Sequence, residues 1–259
     1  MDSYEESERR PAGRRRGIYL LPNLLTTAGL FAGFYSIVAA IDGNFTHAAL
    51  AIFIAMFLDG LDGRVARMTS TSSEFGKEFD SLADMVSFGI TPAIVTYQWG
   101  VERLSEYGAV WGRLGWAAAF VYVAAAAFRL ARFNSNVLWT DRRFFQGLPS
   151  PPAAACIAAM VWVSTEYEEY GIEGLVALVA GIAITATLGV LMVSRFSYPS
   201  FKEIKPGHRV RYTRLLIIPT VIIVIMIEPP LVSFILLSGY AASAPAIWAW
   251  RRVRRARDK

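Results

Sequence analysis

Residues 57–89 read FLDGLDGRVARMTSTSSEFGKEFDSLADMVSFG and place four carboxylates in segments that are otherwise apolar. Asp59 and Asp62 lie inside a hydrophobic run, and Asp80 and Asp84 lie at the start of the next one. A carboxylate inside a membrane helix is costly unless it is paired, hydrated or bound to a metal ion. The stretch therefore predicts membrane helices that carry a functional acidic site.

The spacing of these acids predicts that two neighbouring helices direct them into one cleft. In a helix of 3.6 residues per turn, Asp59 and Asp62 share one face, and Asp80 and Asp84 share a face of the following helix. Two antiparallel helices joined by about ten residues can bring the four carboxylates together. The same faces carry Gly63, Ala66, Ser87 and, at the edge, Arg67.

The chemistry of this set predicts bound divalent cations. Four carboxylates with no matching buried bases need positive charge, and oxygen ligands without His or Cys favour hard ions such as Mg²⁺, Mn²⁺ or Ca²⁺. Two divalent ions would balance the four acids. Arg67 offers a planar cation suited to a phosphate, and Gly76 is expected to allow the tight turn between the helices. These features together favour metal-assisted phosphoryl transfer.

The composition of the chain excludes a water-soluble globular protein. Of 259 residues, 54% are hydrophobic and 18% charged, the mean hydropathy is +0.39, and the single cysteine excludes a disulfide framework. We expect an all-α polytopic membrane protein with a six-helix core and two further C-terminal spans. The expected spans are 19–41, 48–68, 79–100, 114–133, 151–166, 172–194, 214–228 and 230–250.

The distribution of basic residues predicts the orientation of these spans. Of the 26 Lys and Arg residues, all but Arg103 and Arg113 fall in the termini and the even-numbered connections. Basic residues concentrate on the cytoplasmic side of membrane proteins, so both termini and the acidic site should face the cytosol of an inner membrane. This topology accounts for the net charge of +5 without a nucleic-acid partner. The expected parts are a basic cytosolic arm or interfacial helix over 1–18, a catalytic core over 19–195, and a basic loop, two spans and a basic tail over 196–259.

The acidic motif resembles the full signature of a known enzyme family. The pattern Asp59-x2-Asp62-Gly63-x2-Ala66-Arg67-x8-Gly76-x3-Asp80-x3-Asp84 is similar to that of the CDP-alcohol phosphotransferases. The resemblance implies a six-helix core, usually dimeric, that moves a phosphoalcohol from a CDP-linked donor to a hydroxyl acceptor. It implies that Asp59, Asp62 and Asp80 are metal ligands, that Asp84 binds a second metal or acts as the base, and that Gly63, Ala66, Arg67 and Gly76 contact the CDP group.

The flanking segments resemble the membrane-integral phosphatidylserine synthases within this family. The similar segments are SLADMVSFGITPA (81–93), FRLARFN (128–134) and FFQGLPSPPAAA (144–155). This resemblance implies the reaction of CDP-diacylglycerol with L-serine, assisted by two Mn²⁺ or Mg²⁺ ions, to give phosphatidylserine and CMP. Enzymes of the family that use glycerol phosphate or inositol phosphate as acceptor remain an alternative, as does an ether-lipid donor. A cation transporter is a remote alternative, because it would spread its acids along a path.

Three further groups of polar residues each have a functional and a structural interpretation. Asn23 and Thr26 lie on one face of the first helix and could line the nucleotide pocket or pack against another helix. Arg129 and Arg132 could bind a serine carboxylate or lipid phosphate, or could anchor the helix at the membrane surface. Ser87 could contact the acceptor or serve only in packing.

Overall fold

The computed structural model of the chain describes residues 13–69, 73–135, 144–167, 174–199, 219–220 and 223–257. The expectations for 1–12, for the fourth connection over 136–143 and for the basic loop over 200–218 lie outside these residues. The seventh expected span, 214–228, is described only at 219–220 and 223–228, so the number of eight spans stays a prediction.

The described chain is almost entirely helical. Its longer helices run close to the expected spans, although α1 begins at Gly13, inside the segment expected as a separate arm. The helices are α1 (Gly13–Ile41), α2 (Phe45–Thr69), α3 (Glu74–Asp84), α4 (Thr91–Thr96), α5 (Glu102–Glu106), α6 (Ala109–Ser135), α7 (Ser150–Glu166), α8 (Leu175–Val193) and α9 (Pro229–Arg257).

The third expected span differs from a regular α-helix. Two π-helical segments, Met85–Ile90 and Tyr97–Val101, join α3, α4 and α5 into one helical path. The first π-segment begins directly after Asp84 and buries Ser87 against α1. Sequence periodicity did not reveal this change in helical pitch, because an α-helix with the 3.6-residue period was assumed throughout. π-Segments often occur at functional sites, and this one lies beside the acidic cluster.

Several of the helices can span a membrane. By length and composition, four do so among the described residues: Leu21–Ile41, Ala109–Ser135, Leu175–Val193 and Pro229–Arg255. Their outer surfaces expose large apolar side chains such as Phe31, Phe120 and Val176, as lipid-facing positions require. The prediction of an all-α polytopic membrane protein is therefore confirmed.

Helix α7 forms the centre of the bundle. Its residues from Ala153 to Val161 are at most 4% exposed, and it packs against α2, α4, α8 and α9. Small side chains let neighbouring helices approach closely, which provides the packing that holds helices together in lipid. The same close approach occurs where Gly33 of α1 meets Ser87, since a Cβ on that glycine would lie 2.6 Å from the serine hydroxyl.

A short strand pair, which the sequence analysis did not predict, joins two connections. Strand β1 (Phe144–Gln146) pairs antiparallel with β2 (Ser197–Pro199), with Phe145 opposite Tyr198. The chain then turns at Gly147, whose φ is +81°, before α7 begins. The pair therefore fastens the entry of α7 to the segment that follows α8.

Candidate active site and metal centre

Three carboxylates from α2 and α3 converge beside α1, against which both helices pack. One oxygen from each of Asp59, Asp62 and Asp80 lies within 4.8 Å of the others. Asp62 is 5% exposed, and the other two acids are half-buried. Three carboxylate oxygens so close together repel one another, and a hard divalent cation is the partner that such a donor set fits. The expected metal cluster is thus present for three of its four acids.

Asp84 occupies a different place in the same cleft. It lines the cleft beside the three clustered acids, and its carboxyl is in hydrogen-bonding contact with Asp59. It also interacts electrostatically with Arg129 of α6, so it lies between the acids and a basic group. The cleft has a cavity volume of about 10 Å³, which accommodates a single ion or water molecule. The residues present therefore fit a bound cation.

Thr26 of α1 makes a contact that the sequence analysis did not predict. Its hydroxyl donates to Asp62 Oδ2 at 2.8 Å and lies 3.1 Å from the Pro22 carbonyl oxygen. The side chain is 7% exposed. A buried hydroxyl that holds a metal-binding carboxylate fixes the direction of its oxygens. The expected contact of Thr26 with the CDP group stays a prediction, whereas its contact with Asp62 is direct.

Replacing Thr26 by Val is expected to weaken metal binding while the fold is retained. Valine keeps the shape of threonine and removes only the hydrogen bond to Asp62. Loss of a group that orients a ligand typically costs about tenfold in metal affinity or more. A Mn²⁺ titration followed by electron paramagnetic resonance measures this change directly. Thr27→Val is the matched control, because the Thr27 hydroxyl is exposed and donates to the Asn23 carbonyl of its own helix. Equal Mn²⁺ affinity in the two variants would contradict the role of Thr26.

The structure corrects the expected position of Gly76. This residue lies in the first turn of α3, where its N–H donates to the Ser73 Oγ at 2.9 Å. Helix α3 begins at Glu74, five residues before the expected start of the third span at 79. A Cβ at Gly76 would lie 3.2 Å from Asn23 Oδ1, so the glycine lets α1 and α3 approach each other. Gly76 and Asn23 thus meet at the rim of the site, and their contact with CDP stays a prediction.

The remaining signature residues of α2 line its outer side. Gly63 is half-buried, and an added Cβ would meet only the Arg67 guanidinium at 3.5 Å. Ala66 is half-buried, and Arg67 is exposed. Space for a group to approach the α2 backbone is therefore present at Gly63. A role of these three residues in binding CDP stays a prediction.

Both arginines of α6 donate hydrogen bonds to side chains at or just before the start of α7. Arg129 Nη1 donates to Ser150 Oγ at 2.7 Å, and Arg132 Nη2 donates to Gln146 Oε1. The buried Nε of Arg129 has no hydrogen-bond partner among the described residues. The sequence analysis linked neither Gln146 nor Ser150 to these arginines, although both lie in the segment FFQGLPSPPAAA. Ser150 is the first residue of α7, directly after the cap residue Pro149.

Ser87 lies on the floor of the cleft and joins two helices. It is 3% exposed, and its hydroxyl donates to the Gly29 carbonyl oxygen at 3.3 Å. Thr91 makes a similar bond to the Gly33 carbonyl at 3.2 Å. The bond between Ser87 and Gly29 explains the burial of Ser87 by the packing of this segment against α1. The contact of Ser87 with an acceptor stays a prediction.

Comparison with known proteins relates this fold and site to a family. The model of the CDP-alcohol phosphatidyltransferase family matches residues 19–193. The CDP-diacylglycerol–serine O-phosphatidyltransferase of Helicobacter pylori strain J99 is 41% identical over 73% of this chain and 75% of its own length. The Bacillus subtilis protein of the same name is 31% identical over 71% of this chain and 92% of its own. The archaetidylserine synthase of Methanothermobacter thermautotrophicus is 34% identical over 69% of each chain. With all eight signature residues in place and this match across most of its length, the chain belongs to the CDP-alcohol phosphatidyltransferase family.

Proposed function

We propose that the protein transfers the phosphatidyl group of CDP-diacylglycerol to the hydroxyl of L-serine and releases CMP. The observation that carries this proposal is the convergence of Asp59, Asp62 and Asp80 in a cleft that Asp84 also lines, with Arg129 in electrostatic interaction with Asp84. The related proteins named above are serine phosphatidyl- or archaetidyltransferases, so serine is the acceptor common to their names.

The acids divide into a metal-binding group and a proton acceptor. Asp59, Asp62 and Asp80 would hold divalent cations, for which Mg²⁺ and Mn²⁺ are both suited by their oxygen ligands. When bound, such ions neutralise the pyrophosphate and the departing CMP. Asp84 lies outside the close cluster, and its carboxylate would accept the proton of the serine hydroxyl. The serine oxygen then forms a bond to the phosphatidyl phosphorus, while the bond from that phosphorus to CMP breaks.

The arrangement of Asp84 and Arg129 suits a small hydroxy acid. The free Nε of Arg129 is a buried donor that a carboxylate can satisfy with a charge-assisted hydrogen bond. In serine the carboxylate and the hydroxyl are on adjacent carbons, so the groups that bind them must lie close together. Arg129 and Asp84 meet this requirement because they interact electrostatically. We assign Arg129 to the serine carboxylate, and Arg132 to the edge of the same site.

The proposal is tested with purified protein in detergent micelles. Wild-type protein with CDP-diacylglycerol, Mn²⁺ or Mg²⁺ and labelled L-serine is expected to form labelled phosphatidylserine and one CMP per product. Asp84→Asn is expected to lower kcat at least about a hundredfold, because the amide cannot accept the proton. Turnover only with glycerol 3-phosphate or inositol phosphate would contradict serine as the acceptor. A parallel reaction with an archaeal ether-lipid donor determines whether the protein distinguishes between the two kinds of lipid tail in its donor substrate.

We further propose that the site faces the cytosol of an inner membrane. Exposed basic residues Arg64 and Arg67 lie in the last two turns of α2, after Asp62, and four more, Arg251, Arg252, Arg254 and Arg255, lie at the C-terminal end of the last candidate span. Such residues concentrate on the cytoplasmic side, where soluble serine and CMP are also available. A homodimer, which the family resemblance implies, is part of the proposal and rests on that resemblance alone.

A further inference from the structure

One short segment carries the hydrogen-bond partners of both arginines of α6. Gln146 at the end of β1 accepts from Arg132, and Ser150 at the start of α7 accepts from Arg129. We call residues 146–150 the arginine-holding segment. Its position sets the direction of both guanidinium groups, because each long side chain would otherwise sample many rotamers.

The end of α8 holds this segment by backbone hydrogen bonds. The Gly147 N–H donates to the Phe196 carbonyl at 2.8 Å, and the Leu148 N–H donates to the Leu191 carbonyl at 3.0 Å. The pairing of β1 with β2 adds the register that sets Gln146 opposite Ser197. The arginine-holding segment therefore moves with β2.

Strand β2 is in turn bound to the C-terminal helix through Tyr198. The side chain of Tyr198 is fully buried, and its hydroxyl donates to the Ala241 carbonyl of α9 at 2.8 Å. Its ring lies 5.5 Å from the ring of Tyr240, measured between centroids. Burial raises the pKa of Tyr198 to about 12, so the hydroxyl keeps its proton and donates at neutral pH. This contact thus joins α9 to the strand pair.

Helix α9 also reaches the neighbourhood of Arg129 directly. Tyr240 is half-buried and close enough to Arg129 for an electrostatic interaction. Helix α9 lies beyond residue 193, where the family match ends. The metal-binding acids, by contrast, come from α2 and α3, and Asp62 accepts a hydrogen bond from Thr26 of α1.

We propose that α9 positions Arg129 and Arg132 for the acceptor, with Tyr198 and Tyr240 as the positioning residues. The helix thus contributes to acceptor binding, whereas the metal centre is formed by residues within 19–193, the part of the chain that the family model matches. The identity of the acceptor rests on the proposed function, whereas the coupling of α9 to the two arginines rests on the contacts just described.

Tyr198→Phe tests the proposal by removing one hydroxyl from the contact with α9. We expect the KM for L-serine to rise about fivefold, which corresponds to about 1 kcal/mol at 1.4 kcal/mol per tenfold. The KM for CDP-diacylglycerol, the Mn²⁺ dependence and kcat should remain within about twofold of wild type. A merely structural defect would change these quantities together.

Tyr167→Phe is the matched control. The Tyr167 hydroxyl also contacts the C-terminal part of the chain, donating to Glu228 Oε2 at 2.9 Å, but it is exposed and follows the far end of α7. This variant should leave all kinetic constants within about twofold. An equal rise of the serine KM in both variants, or no rise in Tyr198→Phe, would overturn the proposal. If Tyr198→Phe does not yield folded protein, Tyr240→Phe replaces it with the same expected KM pattern and the same overturning results.

Hydrogen exchange measured by mass spectrometry gives a readout that does not depend on activity. In Tyr198→Phe, peptides covering 144–150 and 129–135 should exchange at least about threefold faster, while those covering 59–62 and 80–84 should not change. Unchanged exchange at 144–150 would overturn the coupling even if serine is a substrate. If wild-type protein does not use serine but 144–150 exchanges faster in the variant, the proposed acceptor fails and the coupling stands.

Discussion

Replacement of Asp80 by Asn is expected to lower kcat by at least about a thousandfold and to abolish tight Mn²⁺ binding. The amide has nearly the same shape as the carboxylate but lacks its charge, so one of three converging ligands is lost. Electrostatic groups that stabilise developing charge in a buried site commonly contribute a hundred- to a thousandfold each, and a lost metal removes several at once. CMP release at saturating substrate and Mn²⁺ binding followed by electron paramagnetic resonance measure the two effects.

Glu78→Gln provides the matched control for this substitution. Glu78 lies on the same helix two residues earlier, is exposed and does not belong to the acidic cluster. It also loses one negative charge close to the site, so the comparison separates ligation from general electrostatics. We expect kcat and Mn²⁺ affinity within about twofold of wild type. Similar losses in both variants would show that local negative charge, and not a ligand, is what Asp80 supplies.

Replacement of Gly147 by Ala is expected to prevent folding of the region around the arginines. Gly147 has a φ of +81°, which costs an L-residue about 1–2 kcal/mol. An added Cβ would also overlap the carbonyl oxygen of Met192, which is backbone and cannot rotate away. The two effects together should exceed about 4 kcal/mol. We expect an apparent Tm in detergent lower by about 10 °C or more, or no monodisperse protein.

Gly43→Ala separates the cost of the positive φ from the cost of the close contact with Met192. Gly43 lies between α1 and α2 with a φ of +76°, but a Cβ there would meet nothing within 4 Å. This variant should therefore show only the cost of the backbone conformation, a decrease in the apparent Tm of about 2–6 °C. If Gly147→Ala is no less stable than Gly43→Ala, the close contact with Met192 is not a constraint on the fold.

The helices and the acidic cluster follow from local sequence, and this explains why they could be predicted. Apolar runs of spanning length need no knowledge of neighbours, since lipid is the surrounding medium. Asp59 and Asp62 belong to α2, and Asp80 lies in α3, the next helix along the chain, so their approach depends on few degrees of freedom. Asp84 lines the same cleft and contacts Asp59, but it is not one of the three acids whose oxygens lie within 4.8 Å of one another. The family resemblance already implied a separate role for it.

The partners of the site residues could not be predicted in the same way. Thr26 and Asp62 are far apart in sequence, and so are Tyr198 and Ala241. Their contacts depend on how α1 and α9 pack, which periodicity does not report. The π-segment after Asp84 and the strand pair were missed for a related reason, because both arise where packing overrides the regular repeat.

The sequence by itself determined that the chain is a helical membrane protein with an acidic motif of a recognisable family that is suited to metal binding. A carboxylate inside an apolar helix is costly unless it is paired, hydrated or bound to a metal ion, so its presence there indicates a functional site. Only the tertiary structure decided how closely Asp59, Asp62 and Asp80 converge, that Thr26 holds one of them, and that residues 146–150 hold both arginines. Hydrogen bonds and close packing act over a few ångströms, so these assignments depend on the relative positions of helices that are distant in the chain.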